Sequence, residues 1–163
     1  MRVEHIVAVI VAGAAGGTVH AQSHAQKPEV VRTTLETSRP DLARRGLPIL
    51  LVREALPAQD GRTSTWDAQE LLSMSNASGA TSTGGLEEAL RCDARGYCEP
   101  VVDAVVLRVG LPWFMSGDSA RMELKYWAPP TQVYDRVSLV TITSFLARTD
   151  SSWVVRSRAF AAN

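Results

Sequence analysis

The sequence predicts an α+β fold, in which N-terminal helices pack on a curved antiparallel sheet formed by the C-terminal half of the chain. Helix start and stop signals lie in the first 91 residues, whereas four segments typical of β-strands follow one another after residue 103. The short connections between those segments favour an antiparallel meander. The chain has 163 residues, of which 45% are hydrophobic, so a single domain can build its own core.

The chain begins with the three parts of a secretory signal peptide. A short basic start precedes an apolar stretch at residues 6–11, and the small residues Val19 and Ala21 occupy positions −3 and −1 of a cleavage site. No other segment of the sequence is long and apolar enough to span a bilayer. We therefore expect export to the periplasm or the extracellular space, with a mature chain that starts at Gln22, or at Gln26 if the next site is cleaved.

The predicted organisation has three segments. Residues 1–21 form the signal peptide, residues 22–27 a polar and flexible tail, and residues 28–163 one α+β domain. The chain carries 17 basic and 17 acidic residues, and the signal peptide holds one of each, so the mature chain is also neutral. A neutral chain lacks the long-range field with which proteins collect nucleic acids or anionic membranes, and we expect no nucleic-acid partner.

The first part of the domain predicts helix followed by a buried strand. Residues 28–37 fit either the first turns of a helix or a strand. A capping serine at Ser38 predicts a short helix over residues 39–45, and Gly46 fits its end. Residues 48–52 are apolar on both faces, which is typical of a buried strand.

A second helix and a flexible segment follow. The run from Ser64 to Asp67 resembles a capping box ahead of a helix over residues 68–74. Its predicted core-facing residues are Trp66, Leu71, Leu72 and Met74. Residues 75–85 are rich in Ser, Thr and Gly and carry no charge, which predicts a mobile loop, and residues 86–91 predict a short helical turn.

Cys92 and Cys98 are the only cysteines, and in an oxidising compartment they predict a local disulfide. The bridge would pin the turn at residues 93–97. Two thiols with no histidine nearby cannot complete a four-ligand zinc site, and their spacing is not that of a C-x-x-C redox centre. We expect no metal and no cofactor.

The predicted strands of the meander are residues 104–109, 120–128, 137–147 and 153–160. The clearest alternation lies in the second of them. It predicts a buried face made of Ala120, Met122, Leu124 and Tyr126, and a solvated face made of Arg121, Glu123, Lys125 and Trp127.

Helices and one strand come first, and long antiparallel strands follow, ending in Asp-Ser-Ser-Trp-Val-Val at residues 150–155. This order of elements resembles that of the NTF2-like, cystatin-like α+β superfamily. The resemblance covers about residues 28–160 and implies a curved sheet wrapped around a long N-terminal helix, enclosing a cone-shaped pocket. The superfamily includes enzymes, ligand-binding proteins and interaction modules, so the fold does not choose among them. A small β-sandwich or lipocalin-like barrel is the competing fold, but it needs more strands than the sequence predicts.

Five residues are candidates for ligand binding. Tyr126 lies on the predicted buried face of its strand, and Trp113 and Phe114 could form the apolar mouth of a pocket. Arg156 and Arg158 are expected on one face of the last strand, where they could hold a carboxylate or a phosphate. Each has a structural alternative, since aromatic residues are often core and paired arginines often form a solvated sheet face.

Three functions are compatible with the sequence. The first is a non-enzymatic domain that binds a small apolar or amphipathic ligand, or a protein partner such as a second copy in a homodimer, in a concave sheet. The second is an isomerase- or dehydratase-like enzyme without a core histidine, in which Tyr126 acts with Asp103, Asp118 or Asp135. The third is a structural, envelope-associated interaction protein without a pocket. Walker-type, H-E-x-x-H and G-x-S-x-G motifs are absent from the sequence.

Overall fold

The structure, a computed structural model, describes residues 15–58, 61–130 and 139–162, with side chains of the first helix from Ala25 onward. Its helices are α1 (Ala15–Leu42), α2 (Ala68–Ser78) and α3 (Leu86–Ala89), and a 3₁₀ turn (Ala43–Arg45) extends α1. Its strands are β1 (Ile49–Leu51), β2 (Thr81–Ser82), β3 (Leu90–Cys92), β4 (Cys98–Pro100), β5 (Val105–Val109), β6 (Trp113–Ser116), β7 (Ser119–Trp127), β8 (Leu139–Thr149) and β9 (Ser152–Ala162). In the described part of the chain, no helix combines the length and apolarity needed to cross a membrane.

Helix α1 is one long element, where the sequence suggested a boundary at Ser38. Pro28 and Pro40 both lie inside it, and Ser38 is buried within the helix and caps nothing. A proline inside a helix costs about 3 kcal/mol, whereas each large apolar side chain that becomes buried contributes about 1.5 to 3 kcal/mol. Burial of one whole face of α1 therefore outweighs both prolines. The predicted end at Gly46 is confirmed, since its φ of 67° closes the 3₁₀ turn.

Residues 22–27, expected to be a flexible tail, are helical and belong to α1. The Lys27 ammonium lies 2.6 Å from a carboxylate oxygen of Glu70 and 4.6 Å from the centre of the Trp66 ring. Composition alone indicated disorder here because it does not reveal this contact with α2. The contact joins the two helices at the start of the core.

The predicted α+β class is confirmed, and the sheet is mixed where a purely antiparallel one was expected. Its strand order is β2-β1-β5-β7-β8-β9, and β6 pairs with the free part of β7. Strand β1 runs parallel to both of its neighbours, and the remaining pairs are antiparallel. Parallel pairing requires a crossover, which α2 provides between β1 and β2. The C-terminal meander of β7, β8 and β9 is present; residues 137 and 138 of its predicted third strand lie outside the described residues.

Two apolar clusters hold the layers together. The larger lies between the two long helices and one face of the sheet, and Ala120, Met122 and Leu124 belong to it as predicted. The smaller lies on the opposite face, under α3 and the β3–β4 hairpin, and it contains Val106 and Trp127. Trp127 is therefore buried, with 7% exposure, although alternation predicted it to be solvated. The prediction failed because the sequence pattern does not show that the hairpin covers this end of the outer face.

Helix α2 begins at the predicted capping box but extends further. The Asp67 carboxylate accepts hydrogen bonds from the backbone N–H groups of Gln69 and Glu70, and the Glu70 side chain accepts one from the Asp67 N–H. The predicted loop at residues 75–85 was wrong, since it contributes the last turn of α2 and strand β2. Leu72 was also predicted wrongly, because it is 63% exposed.

The predicted disulfide is confirmed. Cys92 and Cys98 are cross-strand neighbours in the hairpin, with their Cα atoms 4.0 Å apart and a bond joining the two sulfurs. The Asp93 carboxylate also accepts hydrogen bonds from the backbone N–H groups of Arg95 and Tyr97. The turn is thus held both by the bridge and by an internal hydrogen-bonded network.

Replacing both cysteines, Cys92→Ser with Cys98→Ser, should lower the free energy of unfolding by about 2 kcal/mol while leaving a cooperative transition. The loop is short, and the hairpin forms a sheet of its own, separate from the main sheet. Thermal melts with and without reductant measure the effect, and reductant should not change the melt of the double variant. Loss of cooperative folding at room temperature would contradict this local role.

Leu71 and Leu72 offer a matched pair for the packing of α2. Leu71→Ala should destabilise the protein by about 2 to 4 kcal/mol because it leaves a cavity under the helix. Leu72→Ala removes an exposed side chain and should change stability by no more than about 0.5 kcal/mol. Urea denaturation followed by circular dichroism gives both values. Equal costs would show that the helix is rotated relative to this structure.

Candidate functional site

The five candidate residues are distributed over several surfaces. Tyr126 lies between the sheet and the end of α1, Trp113 lines a groove on the other side of β7, and Phe114 packs edge-on against Trp153 at 5.8 Å. Neighbouring residues of a strand point to opposite faces, so Trp113 and Phe114 do not form a joint mouth. Phe114 is accordingly packed against the main core.

A bulge in β9 separates the two candidate arginines. Leu146 pairs with Val155, but Phe145 pairs with Ser157, so Arg156 has no cross-strand partner. An extra residue reverses the alternation beyond it. The regular pairing that would place Arg156 and Arg158 on one face, as simple alternation along the strand predicted, is therefore interrupted at Arg156.

Arg158 faces helix α1 and ties β9 to it. Its guanidinium forms an ion pair with Asp41 and donates a hydrogen bond to the carbonyl oxygen of Thr37. It also lies 5.4 Å from the centre of the Phe160 ring. The carboxylate that Arg158 binds in the structure is thus one of the protein's own.

A pocket of about 480 Å³ lies where the C-terminal end of α1 meets β5 and β7. Volumes of this order are usual for sites that bind small molecules. Its lining residues are Asp41, Leu42, Arg44, Arg45, Val105, Tyr126 and Ala128. Apolar side chains form its floor, and the polar side chains come mainly from the helix end and from Tyr126.

The charged side chains of this pocket differ in their bonding partners. Asp41 is held by Arg158, and Arg45 donates to the carbonyl oxygen of Pro129. Among the described residues, none forms an ion pair with Arg44. The pocket therefore presents more positive than negative charge to a ligand.

Tyr126 supplies a neutral hydroxyl to this pocket. Partial burial raises the pKa of its phenol, and the Asp41 carboxylate raises it further, while Arg45 and Arg44 act in the opposite direction. At neutral pH the phenol is protonated and can donate a hydrogen bond. Two guanidinium groups and one phenol O–H above an apolar floor match a small organic anion.

Sequence reasoning missed the helix end as part of the site. Asp41, Arg44 and Arg45 precede Gly46, and basic residues just before a helix-ending glycine are a recognisable signal. What the sequence could not show is that this end overhangs Tyr126.

Neither Asp103 nor Asp118, proposed as partners of Tyr126, is among the residues that line its pocket. Asp118 lies in the turn before β7, at the opposite end of that strand from Tyr126, and Asp103 lies in the bend before β5. Asp135 lies outside the described residues. The acid next to Tyr126 is Asp41, which no sequence pattern had indicated.

A second groove, of about 370 Å³, lies beside Trp113 on the other face of the sheet. Its walls come from the segment after β1, the connection between β5 and β6, and the middle of β7. Trp113 is 47% exposed there. Arg121 and Glu123 form an ion pair in its wall.

A third cleft, of about 720 Å³, lies beside the segment after β1, and two of its charged side chains are bonded within the protein. Arg108 donates to the carbonyl oxygens of Glu54 and Ala55, and the Glu54 carboxylate accepts from the Leu86 N–H. Burial lowers the pKa of Arg108. These groups fasten the segment after β1, and their bonds are already made. Within the described residues, no group of three or more His, Cys, Asp or Glu side chains is arranged to hold a metal.

Comparisons with protein-family models, curated proteins and solved structures find no match. The candidate sites for a ligand are the pocket at the end of α1 and the groove beside Trp113, because Glu54 and Arg108 of the third cleft are already bonded within the protein.

Stability should depend on pH through Tyr126. Because folding raises the pKa of this phenol, the stabilising contribution is complete below the ordinary tyrosine pKa of about 10 and is lost as the pH rises through the folded pKa. Urea denaturation between about pH 9 and about pH 11 should show a fall in the free energy of unfolding that is smaller in Tyr126→Phe. An unchanged slope in Tyr126→Phe would contradict the assignment.

Proposed function

We propose that the protein is a binding domain for a small amphipathic organic anion, held in the pocket at the C-terminal end of α1. The observation that carries the proposal is the convergence of Arg44, Arg45 and the Tyr126 hydroxyl above an apolar floor. The anionic head would meet the guanidinium groups and the phenol, while the apolar part would lie against Leu42 and Val105.

Charge favours an anion over a neutral ligand. Asp41, the acid of this pocket, is engaged by Arg158, so its charge is balanced from outside the pocket. Arg44 has no ion-pair partner among the described residues. A carboxylate would supply a partner, and charge-assisted hydrogen bonds to arginine are among the stronger polar contacts.

Binding is favoured over catalysis. In an isomerase- or dehydratase-like enzyme, Asp41 and Tyr126 would have to exchange protons with the substrate. The Asp41 carboxylate is instead bound to Arg158, and Tyr126 is a weak acid whose pKa is raised. Neither group is arranged as a general base near neutral pH, so we assign ligand binding as the function.

The structure and the sequence also support proposals for the fold family and the compartment of the domain. A long helix lying on a sheet, with a pocket at the helix end, supports our proposal of an NTF2-like arrangement. The disulfide and the signal-like start of the sequence support export to the periplasm or beyond.

Calorimetric titration with octanoate, phenylacetate, octanol and phenylethanol tests the proposal, because each acid is matched by an alcohol of similar shape. Both acids should bind about tenfold more tightly than their alcohols. Arg44→Ala should weaken binding of the acids by about tenfold, and Tyr126→Phe should weaken it by about threefold to tenfold. Arg32→Ala is the control, since Arg32 is exposed on α1 and pairs with Glu36 away from the pocket.

Two outcomes would overturn this function. One is equal affinity for acids and alcohols, which would leave the guanidinium groups without a role. The other is acid binding that Arg44→Ala does not change. Either result would show that the ligand is not held by the polar side chains of this pocket.

A further inference from the structure

We propose that the groove beside Trp113 is a second binding site and that its ligand is a neutral sugar, taken as one end of an oligosaccharide. Trp113 leaves nearly half of its surface exposed at the edge of this groove. The site is separate from the pocket at the end of α1, shares no lining residue with it, and does not depend on the function proposed above.

Strand register places the aromatic ring and the polar groups on one face. Trp113 is the direct cross-strand partner of Arg121, and Glu123 follows two residues later on the same strand. Cross-strand partners and residues two apart point to the same side of a sheet. The ion pair of Arg121 with Glu123 therefore lies beside the Trp113 ring, in the wall of the groove.

This combination of groups matches the two sides of a sugar ring. A pyranose has an apolar C–H face, which can lie on an aromatic ring, and a rim of hydroxyl groups. Arginine can only donate hydrogen bonds and ionised glutamate can only accept them. Since each hydroxyl both donates and accepts, neighbouring hydroxyls can use Arg121 and Glu123 together.

The ion pair argues against other small ligands. A free anion would meet Glu123, and a zwitterion would have to separate Arg121 from Glu123 to bind both. A purely apolar ligand would remove water from the pair without replacing its hydrogen bonds, which is costly. Hydroxyl groups can replace that water while the pair stays intact.

The open face next to the groove indicates more than one sugar unit. Phe145 is the cross-strand partner of Arg121 on the next strand and is 38% exposed. Two strand spacings separate β6 from β8, so Phe145 lies about 10 Å from Trp113 along the sheet. The second apolar cluster covers the far end of this face, around Trp127, and leaves this row open. An oligosaccharide crossing the strands would meet both aromatic rings.

The test uses cellotetraose, maltotetraose and chitotetraose as probes. Saturation-transfer NMR with the whole protein should detect at least one of them, and a titration of the same signal should give its affinity in the wild type and in each variant. Trp113→Ala should weaken that affinity by about tenfold or more, while Trp113→Phe should retain part of it because a ring is still present. Glu123→Gln should also weaken binding, since the amide disturbs the pair with Arg121.

Matched controls separate this site from general effects. Phe160→Ala removes another exposed aromatic residue, on β9, and should leave sugar binding unchanged. Raising the salt concentration should change the affinity less than about twofold, because the ligand is neutral. Circular dichroism and melting temperature check that each variant is folded, and Trp113→Phe provides the test if Trp113→Ala is not.

Three results would overturn the inference. They are no binding of any of the three tetrasaccharides at about 10 mM, binding that survives the loss of the Trp113 ring in a folded variant, and displacement of the sugar by glycine or acetate at equal concentration. None of these outcomes involves Arg44 or Tyr126, so the two proposed sites are tested independently.

Discussion

The packing of one face of α1 against the sheet is the constraint on which the rest of the structure depends. Val31, Leu35 and Leu42 lie at intervals that bring them to one side of a helix, and all are buried. Burial of this face keeps α1 helical through Pro28 and Pro40. Because the helix continues past Pro40, its last turn carries Arg44 and Arg45 over the end of the sheet, where the pocket forms.

The same interface includes polar groups that do not stabilise it. The hydroxyls of Ser38 and Ser144 are buried, and neither has a hydrogen-bond partner among the described residues, at a cost of about 1 to 3 kcal/mol each. The nearby pair of Arg158 with Asp41 is about 30% exposed, so it contributes about 0 to 1 kcal/mol. Apolar burial, not this ion pair, holds α1 in place. The effect of Arg158 is on the pocket, where it balances the charge of Asp41.

Local patterns predicted those features whose physical cause lies within a few residues. The alternation in β7, the stop at Gly46 and the Cys92–Cys98 bridge each depend on neighbours along the chain. The burial of Trp127 and the bulge at Arg156 depend on other segments, namely the hairpin and the register against β8. Of the site, Tyr126 and Trp113 could be singled out from the sequence, but their neighbours could not, since these come together only in the fold.

Strand β7 connects the two proposed sites through its alternation. Tyr126 lies near its C-terminal end on the face toward α1, whereas Arg121 and Glu123 lie further back on the opposite face. A shift of one residue in the pairing of β7 would exchange these faces, bury the ion pair and expose Met122 and Leu124. Because core packing fixes the register so strongly, it also fixes both sites. The residues that bind ligands are thus positioned by the same apolar alternation that makes the strand recognisable in the sequence.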